Sequence, residues 1–178
     1  MASPLSGTAA THAACLFAAW GDEVAQRFYR QVQTNGVRIF DTEKRAAQAV
    51  AGGDLAFCLV NSDDAIDEVE KGLPLEIIYP DQEEAGAGTL FIPNTVSIIR
   101  GCPHPEAARQ FVDALLTPRT ETLLARGIGA QVPLNTKVKL KRYRIQPPDK
   151  VRPMMVDFPA AADKWEAVAK FLRDELSL

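Results

Sequence analysis

Leu55-Ala56-Phe57-Cys58-Leu59-Val60 is an unbroken apolar run set between Gly53-Asp54 and Asn61-Ser62-Asp63-Asp64. A run of that length, with turn residues at both ends, is expected as a strand buried on both faces, and such strands occur where helices cover each side of a sheet. The neighbouring patterns supply those helices. Ala9, Ala13, Leu16, Phe17 and Trp20 recur at helical spacing from Thr8 to a stop at Gly21, and Val24, Phe28 and Val32 share a face between Asp22 and Gln33. Asp41 or Thr42 caps a third helix carrying Ala46, Ala47 and Val50, which breaks at Gly52-Gly53, and Asn61 to Asp64 opens a fourth that runs to about Lys71. With short strands expected at Val37 to Phe40 and Leu75 to Tyr79, strand and helix alternate. That order predicts an α/β fold, an open and mostly parallel sheet with flanking helices and right-handed crossovers.

Beyond Asp81 the pattern changes. Thr89 to Ile99 is rich in β-formers but interrupted by Pro93, which suits two strands or a crossing segment. His104-Pro105-Glu106 begins an amphipathic helix expected to turn Ala107, Ala108, Phe111, Val112, Leu115 and Leu116 inward. A shorter helix follows from about Arg119 to Arg126, and a final one from Ala160 to Leu176 is built around Trp165, Val168, Phe171 and Leu172.

Composition narrows the function classes. With 47% hydrophobic and 24% charged residues the chain has the make-up of a globular protein. A formal charge of -3 leaves no global footprint for nucleic acid. The basic residues Lys137, Lys139, Lys141, Arg142, Arg144, Lys150 and Arg152 alternate along the chain as on a solvated edge, so no nucleic-acid partner is expected. Cys15, Cys58 and Cys102 are too widely spaced for a metal motif and are expected as buried free thiols. His12 is expected to pack within its helix, and His104 to mark a helix entry. No nucleophile elbow, GxxxxGK[ST] loop or GxGxxG motif is present, and no enzyme is expected. The N-terminus carries no basic-then-apolar signal sequence and no apolar run spans a bilayer, so the chain as written is expected in the cytoplasm.

In an open α/β sheet, ligands bind beyond the strand C-termini, beside helix N-termini. Two turns qualify. Ser6-Gly7-Thr8-Ala9 offers hydroxyls, free N–H groups and a glycine without any acidic side chain, which suits an anion at the positive end of a helix dipole. Asn61-Ser62-Asp63-Asp64 follows the apolar run. Ordinary helix capping accounts equally for either turn.

Taken in order, Pro4-Leu5-Ser6-Gly7-Thr8-Ala9-Ala10-Thr11-His12, Asn35-Gly36-Val37-Arg38-Ile39, Gly53-Asp54-Leu55-Ala56-Phe57, Ile92-Pro93-Asn94-Thr95-Val96 and His104-Pro105-Glu106-Ala107-Ala108 resemble the periplasmic solute-binding proteins of ABC importers, in particular the ferric-iron-binding, bacterial transferrin type. The resemblance covers at least residues 4 to 135. It implies a two-lobed type II binding protein located in the periplasm, which closes on a small anionic or metal–anion ligand, hands it to an ABC permease and performs no chemistry. Ser6, Gly7, Thr8 and Ala9 would then hold the anion, with Asn61, Ser62, Asp63 and Asp64 facing the same cleft. Iron-binding members place two adjacent tyrosines where Asp63-Asp64 stands here. These carboxylates are hard oxygen ligands, so Fe(III) or another metal with a synergistic anion is one cargo the pattern admits; a cationic ligand or plain helix capping are the others.

Family members also carry a segment before the anion turn. By resemblance, residues 1–80 are expected as an α/β ligand-binding lobe and 81–178 as crossing strands and C-terminal helices of an incomplete second lobe. The exposed surface left by that arrangement would favour a homo-oligomer. A stand-alone oligomerising interaction domain that has lost transport is the alternative.

Overall fold

The computed structural model describes residues 1–141 and 144–178, and seven helices order the described chain. They are α1 (Gly7–Trp20), α2 (Asp22–Thr34), α3 (Glu43–Ala51), α4 (Ser62–Glu70), α5 (Pro105–Leu115), α6 (Pro118–Arg126) and α7 (Phe158–Leu176). Their ends follow local chemistry. Gly21 at φ 77 separates α1 from α2, a conformation that costs glycine little and other residues much. The Thr42 hydroxyl accepts from the Arg45 N–H, the Thr117 hydroxyl from the Thr120 N–H and the Asp157 carboxylate from the Ala160 N–H, each satisfying a donor with no partner inside its helix. Pro105 and Pro118 stand at the first helical position, where no N–H is needed.

The core is helix on helix. α1 packs along α7 and against α2, joining Ala13, Leu16, Phe17, Ala25, Tyr29, Val168, Leu172 and Leu176. Tyr29 stacks on Phe17 at 6.2 Å between ring centroids, and Phe171 meets the edge of Phe17 at 5.7 Å. Burial pushes the Tyr29 phenol well above its ordinary pKa. His12, part-buried on α1, is held below its ordinary value for the same reason: its charged form loses solvation. A smaller cluster joins Ile66 of α4 to Ala130 and Ile145, with Tyr79 and Val132 against it.

The α/β expectation is overturned. Among the described residues there is no sheet, only two isolated parallel bridges, Ala2 with Phe40 and Thr89 with Pro153. The run Leu55 to Val60 is neither a strand nor buried; Phe57 is 78% exposed. Leu75 to Tyr79 and Leu90 to Ile99 are likewise not strands, with Ile78 and Ile99 largely exposed. The physical reason lies in what a parallel strand needs, namely partners in hydrogen bonding on its edges and helices over both faces. Here the apolar faces of α1, α2 and α7 are spent on one another, which leaves no helical layer to cover a sheet.

Other expectations are corrected with it. No residue of α5 is buried, and Phe111 is 64% exposed, so the face expected to turn inward does not. Cys15 is buried, whereas Cys58 and Cys102 are only part-buried; none is in a disulfide. In the basic run, Arg144 pairs with Glu70 and donates to the Gly127 carbonyl, and Arg152 donates to the carbonyls of Asp81, Glu83, Glu84 and Gly86. Arg142 and Tyr143 lie outside the described residues. No described helix is long and apolar enough to cross a membrane.

Candidate functional site

The N-terminal segment sets the site's geometry. Ala2 bridges Phe40, the Ser3 N–H donates to the Phe40 carbonyl at 3.2 Å, and the Phe40 N–H donates to the Met1 carbonyl at 3.0 Å. This clip lays the residues entering α1 beside those entering α3. α3 packs against α4, so the N-termini of α1, α3 and α4 open onto one recess. Its volume is about 180 Å³, and Ser3, Ser6, Gly7, Thr8, Asp41, Thr42, Glu43, Asn61 and Asp64 line it along with Ala2.

Three side chains tie the helix ends together. Asn61 Nδ2 donates to Thr8 Oγ1 at 2.6 Å, and Thr8 Oγ1 donates to Glu43 Oε1 at 2.9 Å. Glu43 Oε2 accepts from the Asn61 backbone N–H. The Glu43 carboxylate therefore occupies, from within the chain, donors that an external anion would use at the N-terminus of α4. The N-terminus of α1 is different. Ser6 makes no side-chain cap there and the first turn holds no acidic residue. Gly7 adopts φ 59 and has open space where a Cβ would stand, so the backbone at this turn is approachable. Free N–H groups and a positive dipole end together attract negative charge.

The residues contributed by the entries to α3 and α4 are acidic. Asp41, Glu43 and Asp64 put carboxylates around the recess. Partial burial raises the Asp64 pKa, and the neighbouring charges of Asp63 and Glu43 raise it further, against a smaller opposing effect of Lys44. Chemically, the recess offers donors at α1 and acceptors from α3 and α4. It is suited to a small group that is anionic on one side and carries hydroxyl or amine hydrogens on the other.

Of the residues singled out in the sequence, Ser6, Gly7, Thr8, Asn61 and Asp64 meet in this recess. Ala9, Ser62 and Asp63 do not line it. Ser62 is exposed at the start of α4, and the Asp63 Cβ would be in contact with a side chain placed at Gly129. Only Asp64 of the two aspartates reaches the recess, and no set of three or more His, Cys, Asp or Glu side chains among the described residues is arranged to hold a metal ion. Glu43 is the residue the sequence reading missed. Its signal was an acidic first turn directly after the Asp41-Thr42 cap, which by itself looks like ordinary helix stabilisation.

Residues 1–127 match the family model of the bacterial extracellular solute-binding protein. The chain belongs to that family. No curated protein and no solved structure matches it. The matched stretch contains every lining residue of the recess and ends at Gly127, the residue that closes α6. Membership in a solute-binding family makes a binding role, with a small-molecule ligand, the activity to be explained.

Proposed function

We propose that this chain acts as the receptor component of an ABC import system and holds a small solute by an anionic group in the recess between α1, α3 and α4. One observation carries the reading: within a chain of a solute-binding family, three helix N-termini separated in sequence open onto the same recess. The volume of about 180 Å³ is the share of roughly six liquid waters. That is room for a phosphate, a sulfate or a carboxylate head group, with the rest of the ligand outside. The Ser6 hydroxyl and the free backbone N–H groups of Gly7 and Thr8 receive the anionic oxygens, the Thr8 hydroxyl being held by Glu43 and Asn61, and Asp41 and Asp64 receive the ligand's hydroxyl or amine hydrogens. Delivery to a permease and a periplasmic location follow from this reading. The donor set does not favour a ferric cargo, because only one of the two adjacent aspartates reaches the recess.

Thermal melting with added inorganic phosphate, glycerol phosphate or an amino acid tests the proposal. A ligand at a hundred times its Kd stabilises the native state by about 2.7 kcal/mol, a shift of about 5–10 °C for a chain of this size. Thr8→Val and Asn61→Ala should remove that shift while leaving the helical circular dichroism intact. A second reading, a stand-alone interaction domain, is favoured by the exposure of α5. Flat melting curves for every ligand, with folding retained, would select it.

A further inference from the structure

Glu68 is the one charged side chain buried among the described residues, 1% exposed on α4, which packs against α3. A carboxylate out of water is costly unless donors and cations surround it, and an apolar side chain of similar size fills such a space more cheaply. What Glu68 has that an apolar residue lacks is direction. Its Oε2 accepts from Gln48 Nε2 of α3 at 3.2 Å, and its Oε1 accepts from Lys71 Nζ at 2.8 Å. Lys44 Nζ of α3 stands 3.6 Å from Glu68 Oε1 and donates to Asp67 Oδ2 at 3.2 Å. Lys44 and Gln48 are one turn apart, so two successive turns of α3 are bonded to adjacent carboxylates of α4.

α4 needs that anchor because its first residue does not supply one. Asn61 stands at the N-cap but makes no side-chain cap; its Nδ2 donates instead to Thr8 Oγ1 of α1 at 2.6 Å, and its N–H donates to Glu43 of α3. Both bonds leave α4, so they hold only while the helix keeps its place. Asn61, Asp64 and Glu68 are spaced i, i+3 and i+7 and share one face of it. A slip of α4 by one residue moves each side chain by about 1.5 Å along the axis and about 100° around it. That takes Asn61 off Thr8 and Asp64 out of the recess.

We infer that Glu68 is a positioning residue: its bond to Gln48 fixes how α4 lies on α3 and so places Asn61 and Asp64 at the recess. Its effect on affinity rests on the ligand reading of that recess; its effect on geometry does not.

Glu68→Met in the full chain is the test. Methionine is close to glutamate in length and helix propensity. The lysines left behind are nearly half exposed and keep Asp67, so the variant should fold. Amide hydrogen exchange followed by NMR reads the geometry without ligand. The Asn61 N–H should exchange at least about tenfold faster, the factor for losing a hydrogen bond to a carboxylate. The Ala65 N–H, which donates to the Asn61 carbonyl, should stay protected, as should Val168 in the α1–α7 core. Gln48→Leu removes the same bond from the α3 side and should also release Asn61, and the double variant should do no more than Glu68→Met alone. An Asn61 amide unchanged in both variants would overturn the inference, as would Ala65 exchanging in step with it, which marks loss of the helix rather than its displacement. Calorimetric titration with inorganic phosphate keeps the two readings apart. Where the parent binds phosphate, Glu68→Met should bind it at least about tenfold more weakly, and equal affinity would overturn the positioning role. A parent that binds none counts against the ligand reading, and the exchange of Asn61 still decides the role of Glu68.

Discussion

Glu43→Gln probes the internal anion most directly. The carboxylate accepts from the Thr8 hydroxyl at 2.9 Å and from the Asn61 N–H, and it places a negative charge in the first turn of α3. Glutamine keeps the shape, but it has one acceptor oxygen and no charge. With that oxygen turned to the Asn61 N–H, the amide nitrogen faces Thr8 Oγ1, which already accepts from Asn61 Nδ2. A hydrogen bond to a charged group contributes about 1.5–3 kcal/mol against about 0.5–1.5 for a neutral one. Loss of the helix-terminal charge adds about 0.3–1 kcal/mol. Part of this is returned because the carboxylate is half-buried and its desolvation is relieved. The net cost is about 1–2 kcal/mol, a fall in Tm of about 3–6 °C at this chain length. Differential scanning calorimetry without and with phosphate is the assay. In the variant the Thr8 hydroxyl proton is released and the recess loses one negative charge, so phosphate should raise Tm by more than it does in the parent. A Tm within about 1 °C of the parent, or a smaller phosphate shift, would refute the idea that Glu43 stands in for the ligand's anion.

Two further outcomes follow from the packing and the titrating groups. Leu172 is fully buried where α7 meets α1, so Leu172→Ala should cost about 2–5 kcal/mol, measured by urea denaturation with an unchanged m-value. Asp64 has a raised pKa in the folded chain, so the native state binds its proton more tightly than the unfolded state does, and Asp64 ionisation opposes folding as pH rises through that pKa. Asp64→Asn should therefore raise Tm at neutral pH, with the advantage fading as pH falls through the raised pKa and gone below the ordinary value of 3.8; an advantage that persists at low pH would show that charge is not its cause.

Much of the candidate site was legible in the chain, but as separate pieces. Ser6-Gly7-Thr8 and Asn61 stand out as capping chemistry, and Thr42 does so on the same grounds. Nothing local says that Thr8 bonds both Glu43 and Asn61, 35 and 53 positions away. Of the adjacent aspartates only Asp64 lines the recess, and no spacing rule separates it from Asp63.

The same division holds for the fold. Helix boundaries were readable because a helix satisfies its backbone within four residues, so Gly21, Thr42, Pro105, Pro118 and Gly127 act where they stand. Strands were not readable, because a strand exists only where another segment supplies its hydrogen bonds and a layer covers its face. Leu55 to Val60 has the composition of a buried strand and is neither a strand nor buried, with Phe57 largely exposed, since α1, α2 and α7 bury one another instead. The sequence by itself determined the helices and their caps; the tertiary structure alone decided which of their ends meet around one recess and which apolar segments remain uncovered, because those contacts join residues that no local rule connects.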